Sequence, residues 1–200
     1  MNKHLGLQKT LRLAALAMAL LCQAAFAAEP TAFELIKAGN DYVGKDSRDK
    51  VVQIRSEKSI GSLFPTIWWV VYYDADATFK STEVKFGAGQ KLAVSRPLRM
   101  IEYIKAENIF DPKKLHTDSN KAIQIASAQP LLKNITLRAT QLSLNSRFKF
   151  DPSLESPVWK VRLWAARLKN PNDDTSIGDV YISAADGTVL KVDLHIDRVD

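Results

Sequence analysis

The run Ile67-Trp68-Trp69-Val70-Val71-Tyr72-Tyr73 sets seven β-branched or aromatic residues in a row, which fits a pleated strand and little else. Side chains alternate across a strand, so Ile67, Trp69, Val71 and Tyr73 share one face while Trp68, Val70 and Tyr72 share the other. Both faces are apolar. A sheet with a helix on one side only would leave Trp68, Val70 and Tyr72 wet, so a second cover is required. The other half of the chain is the nearest cover. A dimer partner, or an apolar ligand in a pocket lined by the Trp68/Tyr72 strand, are the alternatives.

Around this strand the first half reads as one helix and then four strands. Thr31 followed by Glu34 forms a capping box after Pro30, and Gly39-Asn40 can stop the helix. Strands are expected over 51–54, 67–73, 82–86 and 91–94, the last two joined by the turn Gly87-Ala88-Gly89-Gln90. The second half repeats the order. Thr117 or Asp118 can cap a helix with Ala122, Ile125 and Ala126 on one side, and Pro130 ends it. Strands follow over 135–144, 158–165, 180–183 and 189–196, with Asp186-Gly187 as the last turn. The final strand alternates, with Leu190, Val192, Leu194 and Ile196 on one face. Pro65 precedes Trp69 and Pro157 precedes Trp159, each at the entrance to the corresponding strand. The expected fold is α+β in two repeated units, 28–110 and 111–200, each one helix packed on a four-stranded antiparallel sheet. Between them, Arg96 to Asp111 reads as a short helix around Leu98, Ile101 and Ile104 or as a strand extension.

The first 27 residues read as an address. Lys3, His4, Lys9 and Arg12 open it, and the apolar run from Leu13 to Leu21 is shorter than the roughly 20 residues needed to cross a bilayer. Ala25-Phe26-Ala27 then gives a small-x-small cleavage pattern before Ala28. A lipoprotein would use Cys22, but Leu21 stands where that processing needs a small residue. Cleavage removes three of the 28 basic residues and none of the 22 acidic ones, leaving 25 against 22, a net charge of +3. That field is too weak to point to nucleic acid. Cys22 is the one cysteine, so the cleaved chain has no disulfide, thiolate metal site or cysteine nucleophile. No segment for stable membrane insertion is expected after cleavage.

The helix carrying Ala122 and Ala126, the strand entered at Trp159-Lys160-Val161, and the ending Tyr181-Ile182-Ser183-Ala184-Ala185-Asp186-Gly187-Thr188-Val189-Leu190 resemble the PepSY domain. Residues 111–200 carry the better match; in the first half Gly87-Ala88-Gly89-Gln90 replaces the usual Asp-x-x-Thr-Gly turn. The resemblance implies one helix against an antiparallel sheet, as in PepSY and cystatin-like folds, a secreted or periplasmic location, and a role in binding or restraining peptidases. It brings no catalytic residues and no cofactor.

The residues themselves offer little chemistry. His116 precedes a helix as a loop residue, and no Gly-x-Ser-x-Gly elbow is present. Asp193, His195 and Asp197 alternate along one strand, but at about 3.3 Å per residue the outer pair lies about 13 Å apart, too wide for one ion. The Asn170 to Ser176 loop lacks the Gly and Glu of a calcium loop, with Thr175 and Tyr181 in those places. Asn134-Ile135-Thr136 is a glycosylation sequon. No catalytic or metal set is read. On the strand 158–165, Trp159, Val161 and Leu163 point one way, while Lys160, Arg162 and Trp164 form a basic, aromatic face to which Lys191 and His195 can add. That face is expected to meet an acidic peptide or protein, with Trp164 as anchor and Arg162 as donor. The expected function is a secreted or periplasmic non-enzymatic binding module. The alternatives are the apolar carrier and a hydrolase with an unrecognised site.

Overall fold

A computed structural model describes residues 29–98, 104–146, 150–151, 153–154 and 156–200. The expected signal peptide, and Ile101 of the expected linker helix, lie outside the described residues.

Thr31 caps the first helix as predicted: its hydroxyl accepts from the Glu34 N–H, and the Glu34 carboxylate accepts from the Thr31 N–H, opening α1 (Ala32–Gly39). Four strands follow: β1 (Val51–Ser56), β2 (Ile67–Tyr73), β3 (Ser81–Gly87) and β4 (Gln90–Ser95). The second half gives α2 (Ser119–Ser127), then β5 (Leu137–Asn145), β6 (Val158–Ala166), β7 (Asp174–Ser183) and β8 (Val189–Leu194). All eight strands form one antiparallel sheet in the order β4-β3-β2-β1-β5-β6-β7-β8. The protein is α+β. The expectation of two units, each with its helix on its own four-stranded sheet, is corrected. Each four-strand meander would leave its first strand with a bare edge, and β1 and β5 remove both edges by pairing with each other.

Other expectations shift locally. β7 starts at Asp174, inside the expected loop, and β8 stops at Leu194, with a 3-10 turn at Ile196–Val199. A bulge opposite Tyr181/Ile182 breaks the alternation of β8: Leu190 packs with Val158 and Tyr181, whereas Leu194 packs on the main core. In the linker, Ala106–Asn108 forms a 3-10 turn, and Ile104 is buried against Val52 and Val71.

The core joins α1 and α2 to one face of the sheet, gathering Leu35, Trp68, Val70, Tyr72, Phe86, Ala122, Leu144, Trp159, Val161 and Ile182. The assignment of faces on β2 is therefore reversed. The helix covers Trp68, Val70 and Tyr72, and it is Trp69 that faces the other way. The Tyr72 hydroxyl donates to the Ile36 carbonyl at 2.8 Å, an approach that Gly39 permits because a Cβ there would strike the phenol. The helices meet at their starts. Asp118 Oδ1 accepts from Ser119 N–H at 2.6 Å in its own helix and from Phe33 N–H at 3.2 Å in α1, while Ser119 Oγ accepts from Ala32 N–H at 3.0 Å. Beneath this junction Phe33 stacks on Trp159, whose indole N–H donates to the Thr117 carbonyl at 2.7 Å.

The central seam is short. Gln53, Ile54 and Arg55 on β1 face Asn145, Leu144 and Ser143 on β5. Past that ladder, hydroxyls continue the bonding: Ser56 Oγ accepts from Leu142 N–H and Ser59 Oγ from Thr140 N–H, both at 2.9 Å. Replacing Ser56 or Ser59 by Ala leaves a buried N–H without its partner, and each variant should lose about 1–3 kcal/mol in urea denaturation. Ser127→Ala is the control, because the Ser127 hydroxyl is buried with no partner among the described residues and its loss should be near neutral.

Candidate binding surface

The face of the sheet away from the helices is built by register. Following partners across the strands, Lys85 faces Trp69, Trp69 faces Arg55, Arg55 faces Ser143, Ser143 faces Lys160, Lys160 faces Tyr181 and Tyr181 faces Lys191. Directly opposed residues share a face, so this is one row of seven side chains crossing seven strands. The next row holds Gln141, Arg162, Asp179 and Asp193. Lys160, Arg162 and Trp164 therefore lie together on the open face. Lys191 lies in the row of Lys160, and His195 lies past the end of β8.

The cations on this face are tethered. Arg55 makes two bonds to Glu83, at 3.2 and 2.8 Å, and Arg162 makes two to Asp179, at 2.8 and 3.1 Å. Lys160 Nζ also reaches Asp179, at 3.2 Å. Burial raises the Asp179 pKa, but the Arg162 hydrogen bonds and the Lys160 charge outweigh it and hold the carboxyl below its ordinary range. The Arg162 guanidinium, bonded to Asp179, is held protonated more firmly than usual. Trp69 lies between Arg55 and Lys85, whose charged ends stand 5.0 and 4.6 Å from its ring, and Lys58 stands 5.3 Å from the Trp164 ring. Both indoles are half-buried under these side chains.

The face is partly covered. Ile104 and Ile109 pack over Val52, Val71 and Tyr73 on β1 and β2, and Leu154 packs with Val158 and Tyr181 on β6 and β7. Between them lies a shallow depression of about 210 Å³, with Arg55, Gln141, Ser143, Lys160 and Arg162 on its walls.

Trp68 and Tyr72, the other two expected site residues, are corrected to core positions. They are 3% and 0% exposed, and their polar atoms donate to the Pro65 and Ile36 carbonyls, so neither side chain reaches the open face. His116 is exposed beside α2. His195 Nε2 lies 3.6 Å from Asp193 Oδ1, but among the described residues no three His, Cys, Asp or Glu side chains gather as metal ligands. No helix among them is long and apolar enough to cross a membrane. Arg55, Trp69, Lys85, Gln141, Ser143 and Tyr181 were not foreseen as a surface. Their strands were legible in the sequence, but the β1 to β5 pairing that lines them up is not a local property.

No family model matches the chain, nor does any curated protein or solved structure.

Asp179 gives the surface a pH signature. A carboxylate with a depressed pKa stabilises the fold above its unfolded pKa of about 4, and that contribution is lost as pH falls through the lower folded value. Asp179→Asn should lower stability at pH 7 by about 1 kcal/mol, a modest figure because solvent screens the half-exposed Arg162. The difference from the parent protein should shrink as acid melts of both are extended below pH 4.

Proposed function

We propose that this protein is an exported, non-enzymatic binding module that recognises a protein or peptide through the open face of its sheet. One observation supports the reading: helices bury one face of the sheet, while the opposite face presents an ordered row of cations and aromatic rings in place of an apolar core surface. Arginine and tryptophan are the side chains that most often dominate protein interfaces, and here they are held in fixed positions. Export is supported by the basic opening, the short apolar run and the Ala25-Phe26-Ala27 pattern. The resemblance of residues 111–200 to the PepSY domain supports a periplasmic site of action and a peptidase as the restrained partner. The repeated order of one helix and four strands supports an origin by duplication, with the two copies fused through β1 and β5.

The test is inhibition. Mixed with peptidases secreted by the same organism, the protein should slow cleavage of their substrates. The double change Arg162→Ala/Trp164→Ala should relieve that slowing while the far-ultraviolet spectrum stays unchanged. Inhibition that persists in the double variant removes this face from the function. Peptide turnover by the protein alone would replace the binding module with an enzyme.

A further inference from the structure

We infer that the depression over Ser143 is a site for one carboxylate side chain, Asp or Glu, of a bound polypeptide. This deepens the binding-module reading and rests on it. Ser143 is the short member of the central row, flanked by Arg55 on β1 and Lys160 on β6. Strands lie about 4.8 Å apart, so the stems of Arg55 and Lys160 stand on either side of a gap about 10 Å wide with a hydroxyl on its floor, their charged ends leaning outward to Glu83 and Asp179. Arg162 and Gln141 face each other one row along and close the gap on that side. Besides the buried Ser56 and Leu142, the lining contains three cations, the Ser143 hydroxyl and an amide, with no carboxylate among them.

Glu83 and Asp179 lie on the outer flanks of these cations and hold them in place without neutralising them. Each guanidinium carries five N–H groups. Arg162 gives Nε and one terminal nitrogen to Asp179, and Arg55 gives its two terminal nitrogens to Glu83 and one of them also to Gln53, so two N–H groups of Arg55 and three of Arg162 remain for a guest. Among the described ion pairs, three cations share two carboxylates, which leaves one positive charge. Lys85 does not alter that balance, since Glu57 pairs with it at 3.4 Å. One carboxylate brings the cluster to neutrality, whereas a phosphate dianion would overshoot it. Trp164, two residues beyond Arg162 on β6, adds an aromatic ring along the same strand, which suits a carboxylate carried on a chain better than a free anion.

The probe is a fluorescein-labelled decapeptide of alternating Glu and Ala, compared with its Gln counterpart by anisotropy on the purified protein. The Glu peptide should bind at least about tenfold tighter, and Arg55→Gln, Lys160→Gln and Arg162→Gln should each weaken it about tenfold. Ser143→Glu, which sets a carboxylate on the floor of the gap, should abolish binding with an unchanged or higher Tm. Lys121→Gln, exposed on α2, should bind like the parent. No binding of the Glu peptide, equal binding of both peptides, or full binding by Ser143→Glu would overturn the site. Displacement by acetate at the peptide's own concentration would also overturn it, in favour of a small-anion site. The two proposals fail separately: peptidase slowing that survives Ser143→Glu sinks the carboxylate site alone, whereas Glu-selective binding without any slowing sinks the peptidase partner alone.

Discussion

Three residue pairs between β1 and β5 hold the two halves of this sheet together, and most of the molecule's other properties follow from that contact. The pairing removes two strand edges that would otherwise lie open. It also lays the helix-facing side chains of both halves into one core, from Phe86 in the first to Ile182 in the second. The ladder is too short to do this alone. Ser56 and Ser59 extend it with their hydroxyls, and the Gln53 and Asn145 side-chain amides bond across it at 3.0 Å. A second joint lies above the sheet, where Asp118 and Ser119 satisfy N–H groups of both helices. The halves are thus clamped on two levels, with Trp159 buried between the sheet and the helix junction.

The same arrangement separates the roles of the two faces. On the helix side the polar atoms of the large aromatics bond to backbone carbonyls, so their burial leaves no unmet donor: Trp68 to Pro65, Tyr72 to Ile36 and Trp159 to Thr117. On the open side the aromatics are shaded by charged side chains, and the charges are fixed by carboxylates on neighbouring strands. Such a surface stays hydrated without a partner and is already ordered when one arrives, which reduces the entropy lost on binding.

Much of this was legible in the sequence, for local reasons. The capping box at Thr31, the alternation of Trp159, Val161 and Leu163 against Lys160, Arg162 and Trp164, and the dense β2 run each depend on a few neighbouring residues. The errors came where distant segments decide. Alternation divides Trp68 from Trp69 but does not say which of them meets a helix. Nor does any local pattern reveal that β1 chooses β5, because Ser56 and Ser59 look like ordinary turn serines until Leu142 and Thr140 arrive from more than eighty residues away. The regular alternation in β8 misled for a similar reason, since one extra residue at Leu190 resets the faces.

A joint between the first strands of two successive meanders has a topological consequence. The hydrogen bonds that close one chain upon itself are the same bonds that would join β1 of one copy to β5 of another, so a closed monomer and an exchanged dimer share one set of contacts and differ mainly in the path of the connection. What disfavours exchange is the tether. The Phe110 N–H donates to the Val51 carbonyl at 2.8 Å, and Ile104 and Ile109 are packed beside Val52, so the connecting segment is fastened to β1 before the second half begins. This fastening holds the start of the second half beside β1, which makes β5 of the same chain a neighbour at high effective concentration.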